Sequence, residues 1–189
     1  MAFASAVNTG FYNLLKLWPE TSARNTVYTV GDVIKPTTYA SHAYKCTTAG
    51  TSHAATEPTW GTTNGGTTVD GTATFTCYDS KTYQVKAKQG DTVPYVTFAL
   101  LTESPIGTFA DFEAIENLTF WVNCFSDKST ADLAEIADEV MDSLDDKTIS
   151  VTGYTSMKCL REFISSPTWD SETNIYMISL RYRVWLDKS

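Results

Sequence analysis

Hydrophobic side chains near the start of the chain recur at the spacing of one helical face. The positions follow the series i, i+4, i+8, i+11, i+12 and i+15, and they hold Phe3, Val7, Phe11, Leu14, Leu15 and Trp18. This pattern predicts an N-terminal helix over residues 2–18, with its apolar stripe in the core. Pro19 follows, and because proline disfavours helical geometry at the residue before it, the helix is expected to end there.

A second and longer helical pattern covers residues 129–144. Ser129 followed by Asp132 has the spacing of an N-terminal capping box. The apolar positions that share one face are Leu133, Ile136, Ala137, Val140, Met141 and Leu144. The other face is acidic and holds Asp132, Glu135, Asp138, Glu139 and Asp142. The sequence therefore predicts a long amphipathic helix with a charged outer face.

Several other segments alternate between apolar and polar residues with the period of a strand. These segments are residues 83–88, 95–101, 118–125, 149–152, 157–164 and 175–186. Many strands combined with few helices are typical of an α+β fold with a mixed or antiparallel sheet.

Residues 27–79 differ from the rest in composition. They contain fifteen threonines, only four acidic and two basic residues, and both histidines, His42 and His53. Short β-rich runs at 27–30, 43–47 and 72–78 are separated by glycines, and Asp70-Gly71 is a hairpin-type turn sequence. We predict a small all-β module over 27–80, inserted into a discontinuous host domain made of residues 1–26 and 81–189.

Charge is concentrated in one part of the 189-residue chain, whose net charge is −8. Residues 103–146 contain twelve acidic residues and one lysine, which gives −11, so the remainder carries +3. An acidic chain argues against a general nucleic-acid clamp, which needs a basic surface. No apolar run approaches the ~20 residues of a membrane span, and no secretory signal is evident, so we expect synthesis in a cytosol and no membrane partner.

Residue patterns that would carry catalysis or bind a metal are not found. The sequence has no G-x-S-x-G, no glycine-rich phosphate loop and no H-E-x-x-H. Its cysteines, at 46, 77, 124 and 159, form no C-x-x-C pair. We therefore expect a protein that is not an enzyme, with no metal site and no cofactor. Cys46 and Cys77 are interpreted as buried free thiols, with a disulfide between them as the alternative.

Five segments in a fixed order carry a resemblance to a known family. They are TVPYVTFA (92–99), TFADFE (108–113), ENLTFWVNCFSD (116–127), ADLAEIADEV (131–140) and LRYRVWL (180–186). In this order, and after an N-terminal helix, they resemble the tail-terminator or tail-completion proteins of long-tailed, siphovirus-type bacteriophages. The resemblance covers residues 1–25 and 81–189, and the inserted module departs from it.

The resemblance implies a role in viral tail assembly. It implies a hexameric ring at the head-proximal end of the tail tube, which stops tube polymerisation and provides the surface for head–tail joining. The implied partners are further copies of the chain, the major tail tube protein and the head–tail connector or stopper protein. DNA would pass through the channel without specific binding. The implied location is the virion tail or neck, after assembly in the bacterial cytoplasm, and a neighbouring neck or stopper component is an alternative role.

A ring that passes DNA gives the acidic helix a candidate role. Cationic contacts with phosphates would slow DNA transit, whereas an acidic wall repels the duplex. We expect the acidic face to line or border the channel through Asp132, Glu135, Asp138, Glu139 and Asp142. The alternative is that the same face meets solvent on the outside of the ring.

Two arginines on the last predicted strand are candidate subunit-interface residues. Arg181 and Arg183 alternate with apolar neighbours. Rings are built from heterologous interfaces with complementary patches, so these arginines are expected to pair with carboxylates of an adjacent subunit. A solvated strand face is the alternative.

The inserted module resembles small β modules of phage structural proteins and chitin-binding-type carbohydrate modules. Its candidate glycan-stacking residues are Tyr39, Tyr44 and Trp60. Exposed aromatic rings would stack on a sugar. The alternative interpretation, which we favour, is that these rings form the core of a small module. A carbohydrate-binding accessory protein that acts through residues 27–79 is the alternative function.

Overall fold

A computed structural model describes residues 2–38, 42–78, 81–107 and 115–188. Within these residues there are two helices, α1 and α2, and fourteen strands, β1 to β14. The helices are α1 (Ala2–Leu15) and α2 (Thr130–Leu144). The strands are β1 (Glu20–Thr21), β2 (Val27–Tyr28), β3 (Val33–Lys35), β4 (Ala43–Thr48), β5 (Gly50–Thr51), β6 (Thr67–Asp70), β7 (Ala73–Tyr78), β8 (Thr82–Gln84), β9 (Tyr95–Ile106), β10 (Ile115–Ser126), β11 (Tyr154–Ser156), β12 (Leu160–Ile164), β13 (Thr168–Asp170) and β14 (Ile175–Lys188).

The chain divides into two compact units, and each is described by itself. The host unit comprises Met1–Trp18 and Thr82–Ser189, and the β module comprises Pro19–Lys81. The module begins before the change in composition at residue 27, because β1 pairs in parallel with β3. Across the described residues the fold is mostly β with two helices, which agrees with an α+β class.

The host unit is built on one sheet. Its strands follow the order β11-β14-β10-β9-β8, and β12 and β13 also pair with β14. The three long strands β9, β10 and β14 are antiparallel neighbours, with β10 in the middle. β11, β12 and β13 pair with successive parts of β14, so one edge of this strand is bordered by three short pieces.

Both helices pack against the same face of this sheet. Even-numbered residues of β10 and β14 form the buried face, namely Leu118, Phe120, Val122, Cys124, Ile178, Leu180, Tyr182, Val184 and Leu186. Phe11 of α1 stacks on Phe120, with ring centroids 3.9 Å apart. α2 contributes Leu133, Ile136, Ala137, Val140 and Leu144 to the same core. The helix stripes and the strand alternation therefore meet in a single apolar layer.

α1 ends at Leu15, three residues before the predicted end. The amides of Leu17 and Trp18 bond to carbonyls three residues back, those of Leu14 and Leu15. This tighter hydrogen bonding ends the regular helix but keeps Trp18 buried, with 3% of its surface exposed. The apolar stripe thus continues one turn beyond the helix that it predicts.

α2 begins with a side-chain cap. Ser129 has an extended backbone, and its hydroxyl accepts a hydrogen bond from the amide of Asp132 at 3.1 Å. The carboxylate of Asp132 accepts a hydrogen bond from the Ser126 hydroxyl and lies 3.5 Å from Nζ of Lys128. Asp132 therefore joins the end of β10 to the start of the helix.

Replacing Ser129 with alanine is expected to lower the stability of the host unit by about 1 kcal/mol, because one helix amide loses its acceptor. Ser129→Asp keeps an acceptor and should cost less. Residue-specific NMR intensities of α2 amides across a urea titration would measure both variants. Equal midpoints for the wild type and Ser129→Ala would contradict the cap.

The β module has a five-stranded sheet in the order β1-β3-β4-β7-β6 and a short β2–β5 pair. The predicted Asp70-Gly71 turn connects β6 to β7, where Asp70 pairs with Ala73 and Gly71 has φ 64°. The module core contains Tyr28, Ile34, Tyr44, Cys46, Ala73, Phe75 and Cys77, with Trp60 packed against it. Cys46 and Cys77 are both buried free thiols.

Candidate assembly interface

The host sheet has a second face, which points away from α1 and α2. It is formed by odd-numbered residues of β10 and β14, because neighbouring side chains of a strand point to opposite faces. Its central members are half-buried and comprise Thr119, Trp121, Asn123, Phe125, Arg181, Arg183 and Trp185. We call this surface the open face. Within the described residues, neither helix of the host unit lies on it.

Arg181 and Arg183 lie on the open face and share one carboxylate of their own chain. Nη2 of Arg183 lies 2.7 Å from Oε1 of Glu162, and Nε of Arg181 lies 3.3 Å from Oε2. The arginine side chains are 43% and 36% exposed, whereas Glu162 is only 18% exposed. Two guanidinium groups against one carboxylate leave a net positive charge at this point. Pairing with a neighbouring subunit remains a prediction.

Aromatic rings surround the two arginines. Cζ of Arg181 lies 5.9 Å from the ring centroid of Phe163, and Cζ of Arg183 lies 5.9 Å from that of Trp185. The ring of Trp121 lies 6.4 Å from that of Phe163. These distances allow cation–π attraction, which favours guanidinium groups held over the rings.

The orientation of Trp121 is fixed by a polar neighbour on the same face. Its indole N–H donates to Oδ1 of Asn123 at 2.6 Å, and the same oxygen accepts from the hydroxyl of Ser179 at 2.6 Å. One amide oxygen thus connects β10 to β14 across the open face. The surface is therefore ordered before any partner arrives, which lowers the entropic cost of binding.

The sheet presents two unlike edges. On the β14 side, the short strands expose apolar side chains, with Leu160, Phe163, Ile164 and Trp169 between 42% and 55% exposed. On the other side, β8 pairs with β9 only over Val96–Phe98. From residue 99 to 106, no described strand pairs with that side of β9. Open edges of this kind are available for pairing with another chain.

The acidic residues of α2 have different environments. Asp132 is used in the helix cap, and Glu139 is half-buried. Glu135, Asp138 and Asp142 are exposed, and in the described part of the chain none of these three has an ion pair or hydrogen-bond partner. They form the acidic outer face of α2, on the side of the host unit opposite the open face. Whether they border a channel remains a prediction.

The rings of the candidate glycan-stacking residues are largely used by the module core. Tyr39 lies outside the described residues. Tyr44 is fully buried, and its hydroxyl donates to the carbonyl of Gly61 at 3.1 Å, so this ring is part of the core and has no surface for a sugar. Trp60 is half-buried between Tyr44 and Phe75, with ring centroids 4.5 and 5.5 Å away. Sugar stacking by Trp60 remains a prediction.

Glu57 fixes the indole of Trp60 and is itself held by Thr37. Its Oε1 accepts from Nε1 of Trp60 at 2.8 Å and from the amide of Thr37 at 3.0 Å, and the Thr37 hydroxyl donates to Oε2. Burial alone would raise the pKa of Glu57. The hydrogen bonds from Thr37 and Trp60 outweigh burial and hold this pKa below its ordinary value of 4.5.

The β module is therefore expected to lose stability in acid. A carboxyl whose pKa is lower in the folded than in the unfolded chain stabilises the fold above the unfolded pKa, and this contribution disappears as the pH falls through the folded pKa. Urea midpoints of the β4 and β7 amides, measured by NMR at about pH 6 and about pH 3.5, should fall for the wild type. Glu57→Gln should show a smaller fall. An equal fall in both proteins would show that Glu57 is not the cause.

A metal-binding cluster, a reactive thiol or a membrane-spanning helix would be another functional feature of the described residues. Among them, no group of three or more His, Cys, Asp and Glu side chains is arranged to hold a metal ion. Burial raises the pKa of the Cys124 thiol, and burial together with the charge of Asp145 raises that of Cys159 to about 12. These buried thiols are therefore unreactive at neutral pH. In the same residues, neither helix is long and apolar enough to cross a membrane.

Comparisons with known proteins give a partial likeness in structure. No protein-family model matches the chain, and no curated protein matches it. Among solved structures, a chain in "Virion of native gene transfer agent (GTA) particle" is similar to 58% of this chain over 80% of its own length. The sequence identity is 14% and the TM-score is 0.46. A likeness at this level concerns part of the fold and identifies neither a family nor a function.

Proposed function

We propose that this chain is a virion structural protein, without enzymatic activity, of the tail and neck of a long-tailed bacteriophage. Six copies form a ring at the head-proximal end of the tail tube. The ring ends polymerisation of the tube and presents the surface that joins the head connector. The sequence resemblance suggests this role.

One structural observation carries the proposal. The host unit has the open face, rich in aromatic rings and arginine, on one side and the acidic outer face of α2 on the other. Two unlike surfaces on opposite sides of one unit favour head-to-tail association. Head-to-tail contacts generate a closed ring when the rotation between neighbouring copies closes.

The proposed partners are the major tail tube protein on one side of the ring and the connector or stopper protein on the other. DNA passes through the ring without being bound. The net charge of −8 supports this last point, because an acidic protein repels phosphates over most of its surface. The completed ring is located in the virion, at the junction of tail and neck.

Electron microscopy of the protein mixed with the major tail tube protein of the same phage tests the proposal. The expected result is a six-fold ring on one end of each tube and a tube length that stops increasing once the ring is bound. Tubes that keep growing with bare ends would contradict the terminator role. A ring that binds only isolated head connectors would instead support a stopper.

A further inference from the structure

We propose that the open face of one copy receives the acidic outer face of α2 from a second copy. In this contact Arg181 and Arg183 lie opposite Asp138 and Asp142 of the neighbour. The inference rests on the proposed ring and names the surfaces from which the ring is built. It assigns the acidic helix to the boundary between subunits and not to the channel wall.

The receiving surface has unbalanced positive charge. Glu162 is the carboxylate shared by both arginines, and it is mostly buried. The side chains of Arg181 and Arg183 are 43% and 36% exposed, so part of each guanidinium group is open to a partner. Guanidinium groups are planar forks that bind carboxylates with two parallel hydrogen bonds. A carboxylate from a second copy is therefore a suitable ligand for the exposed part of each guanidinium group.

The incoming surface has unbalanced negative charge. Glu135, Asp138 and Asp142 follow the i, i+3, i+7 spacing, which places them on one side of α2. All three are exposed, and no basic residue stands in the last turn of the helix. The open face of a second copy, where two arginines share one carboxylate, is therefore an electrostatic complement of this helix.

The spacings of the two charge pairs agree. Four residues along a helix rise about 6 Å, which separates Asp138 from Asp142. Two residues along a strand rise about 6.6 Å, which separates Arg181 from Arg183. A helix lying along β14 can thus place one carboxylate at each guanidinium group without distortion of either element.

The composition of the open face also fits a protein partner. Cores of protein interfaces are enriched in aromatic residues and arginine and depleted in lysine and glutamate. Trp121, Phe163 and Trp185 surround the arginines, and the odd-numbered positions of β10 and β14 hold no lysine. The rings would exclude water from the charge pairs, which strengthens the attraction between them.

Charge reversal on α2 is the first test, because Asp138 and Asp142 are exposed and have no ion pair or hydrogen bond within the described residues. Asp138→Lys/Asp142→Lys should fold normally and reduce the number of capped tail tubes by about tenfold or more, as expected for like charges brought together at an interface. Asp127→Lys/Glu172→Lys is the matched control, since it adds the same charge at exposed positions outside α2. The control should cap tubes like the wild type.

Rescue by charge exchange is the decisive test. Arg181→Glu/Arg183→Glu should also fail to cap tubes, and combining these changes with Asp138→Lys/Asp142→Lys should restore capping. The fold of each variant is checked by NMR. If repulsion from Glu162 unfolds Arg181→Glu/Arg183→Glu, the neutral variant Arg181→Gln/Arg183→Gln is used instead. It should also reduce capping.

Disulfide cross-linking tests the contact without tail tubes. Asp138→Cys is combined with Arg181→Cys or with Arg183→Cys, one for each direction of the helix along the strand. At high protein concentration under oxidising conditions, at least one variant should give a ladder of covalent multimers. The native cysteines are all buried and free, so they do not compete. Asp127→Cys/Arg183→Cys should remain monomeric.

The outcomes separate the inference from the proposed function. Cross-linked multimers without tube capping by the wild type would reject the terminator role and retain the contact. Normal capping by Asp138→Lys/Asp142→Lys, or no rescue by charge exchange in folded variants, would reject the contact and retain the role. Duplex DNA binding that is lost with Arg181→Gln/Arg183→Gln would also overturn the proposed contact, since the arginines would then face nucleic acid.

Discussion

Replacing Arg24 with methionine is expected to destabilise the β module by about 3 kcal/mol, because it leaves a buried carboxylate without its cation. Nη2 of Arg24 lies 2.8 Å from Oδ2 of Asp70, and Nη1 lies 2.9 Å from Oδ1. The side chain of Asp70 has no exposed surface, whereas that of Arg24 is 22% exposed. The guanidinium also donates to the carbonyl of Thr56 at 3.0 Å, so it connects two separate parts of the module.

The double variant Arg24→Met/Asp70→Asn isolates the charge effect. The amide of His53 donates to Oδ1 of Asp70 at 2.9 Å, and asparagine keeps an acceptor there. The double variant buries no charge, so it should be more stable than Arg24→Met alone. Urea midpoints of the Cys46 and Phe75 amides, followed by NMR, measure both. An Arg24→Met midpoint equal to that of the wild type would show that the ion pair is not stabilising.

Replacing Phe11 with alanine is expected to cost the host unit about 3–5 kcal/mol, the usual range for a large aromatic residue removed from a core. Phe11 is fully buried. Besides its stacking on Phe120, its ring centroid lies 5.7 Å from that of Phe98 and 6.4 Å from that of Tyr182. Alanine would leave a cavity where α1 meets three strands, so α1 should detach first.

Two controls distinguish lost volume from a general effect on α1. Phe11→Leu keeps most of the apolar volume and should cost less than half as much. Asn13→Ala changes an exposed residue of the same helix and should lie within about 0.5 kcal/mol of the wild type. Urea midpoints of α1 and β10 amides report on both. A Phe11→Ala midpoint equal to that of Asn13→Ala would show that Phe11 does not anchor the helix.

The helices and long strands were the predictable part of the fold. Their apolar positions repeat over twelve or more residues, as in α2 and β14, and such repeats identify the buried face directly. Short elements were harder to predict. β3 and β13 contain three residues each, too few to show a clear alternation, although each pairs with the next strand in the chain.

Two errors in strand length have local causes. The predicted strand at 83–88 is limited to β8, because Val85 has a positive φ of 68° that ends the extended backbone. The predicted strand at 149–152 is reduced to one isolated bridge, between Val151 and Tyr154. Alternation of apolar residues was present in both segments. It marked burial correctly at Ile149 and Val151 but not at Val85, which is 70% exposed, and it could not indicate whether a pairing partner was available.

The candidate interface was predictable only in part. Alternation along the last strand identified Arg181 and Arg183 as neighbours on one face, which is their position on β14. Glu162 was missed, because it meets them only through pairing of β12 with β14 and through an irregularity between Arg161 and Phe163. Trp121 was likewise missed, since only the strand register brings it opposite Arg181.

The interruption of the host unit affects how the protein folds during synthesis. Phe11 packs on Phe120, which is made roughly a hundred residues later. At about 5–20 residues per second, α1 waits on the order of 5–20 s for the strand that covers it. During that interval the β module can fold from its own short-range contacts, which shortens the loop that α1 must close. Until closure, the apolar stripe of α1 stays exposed to solvent.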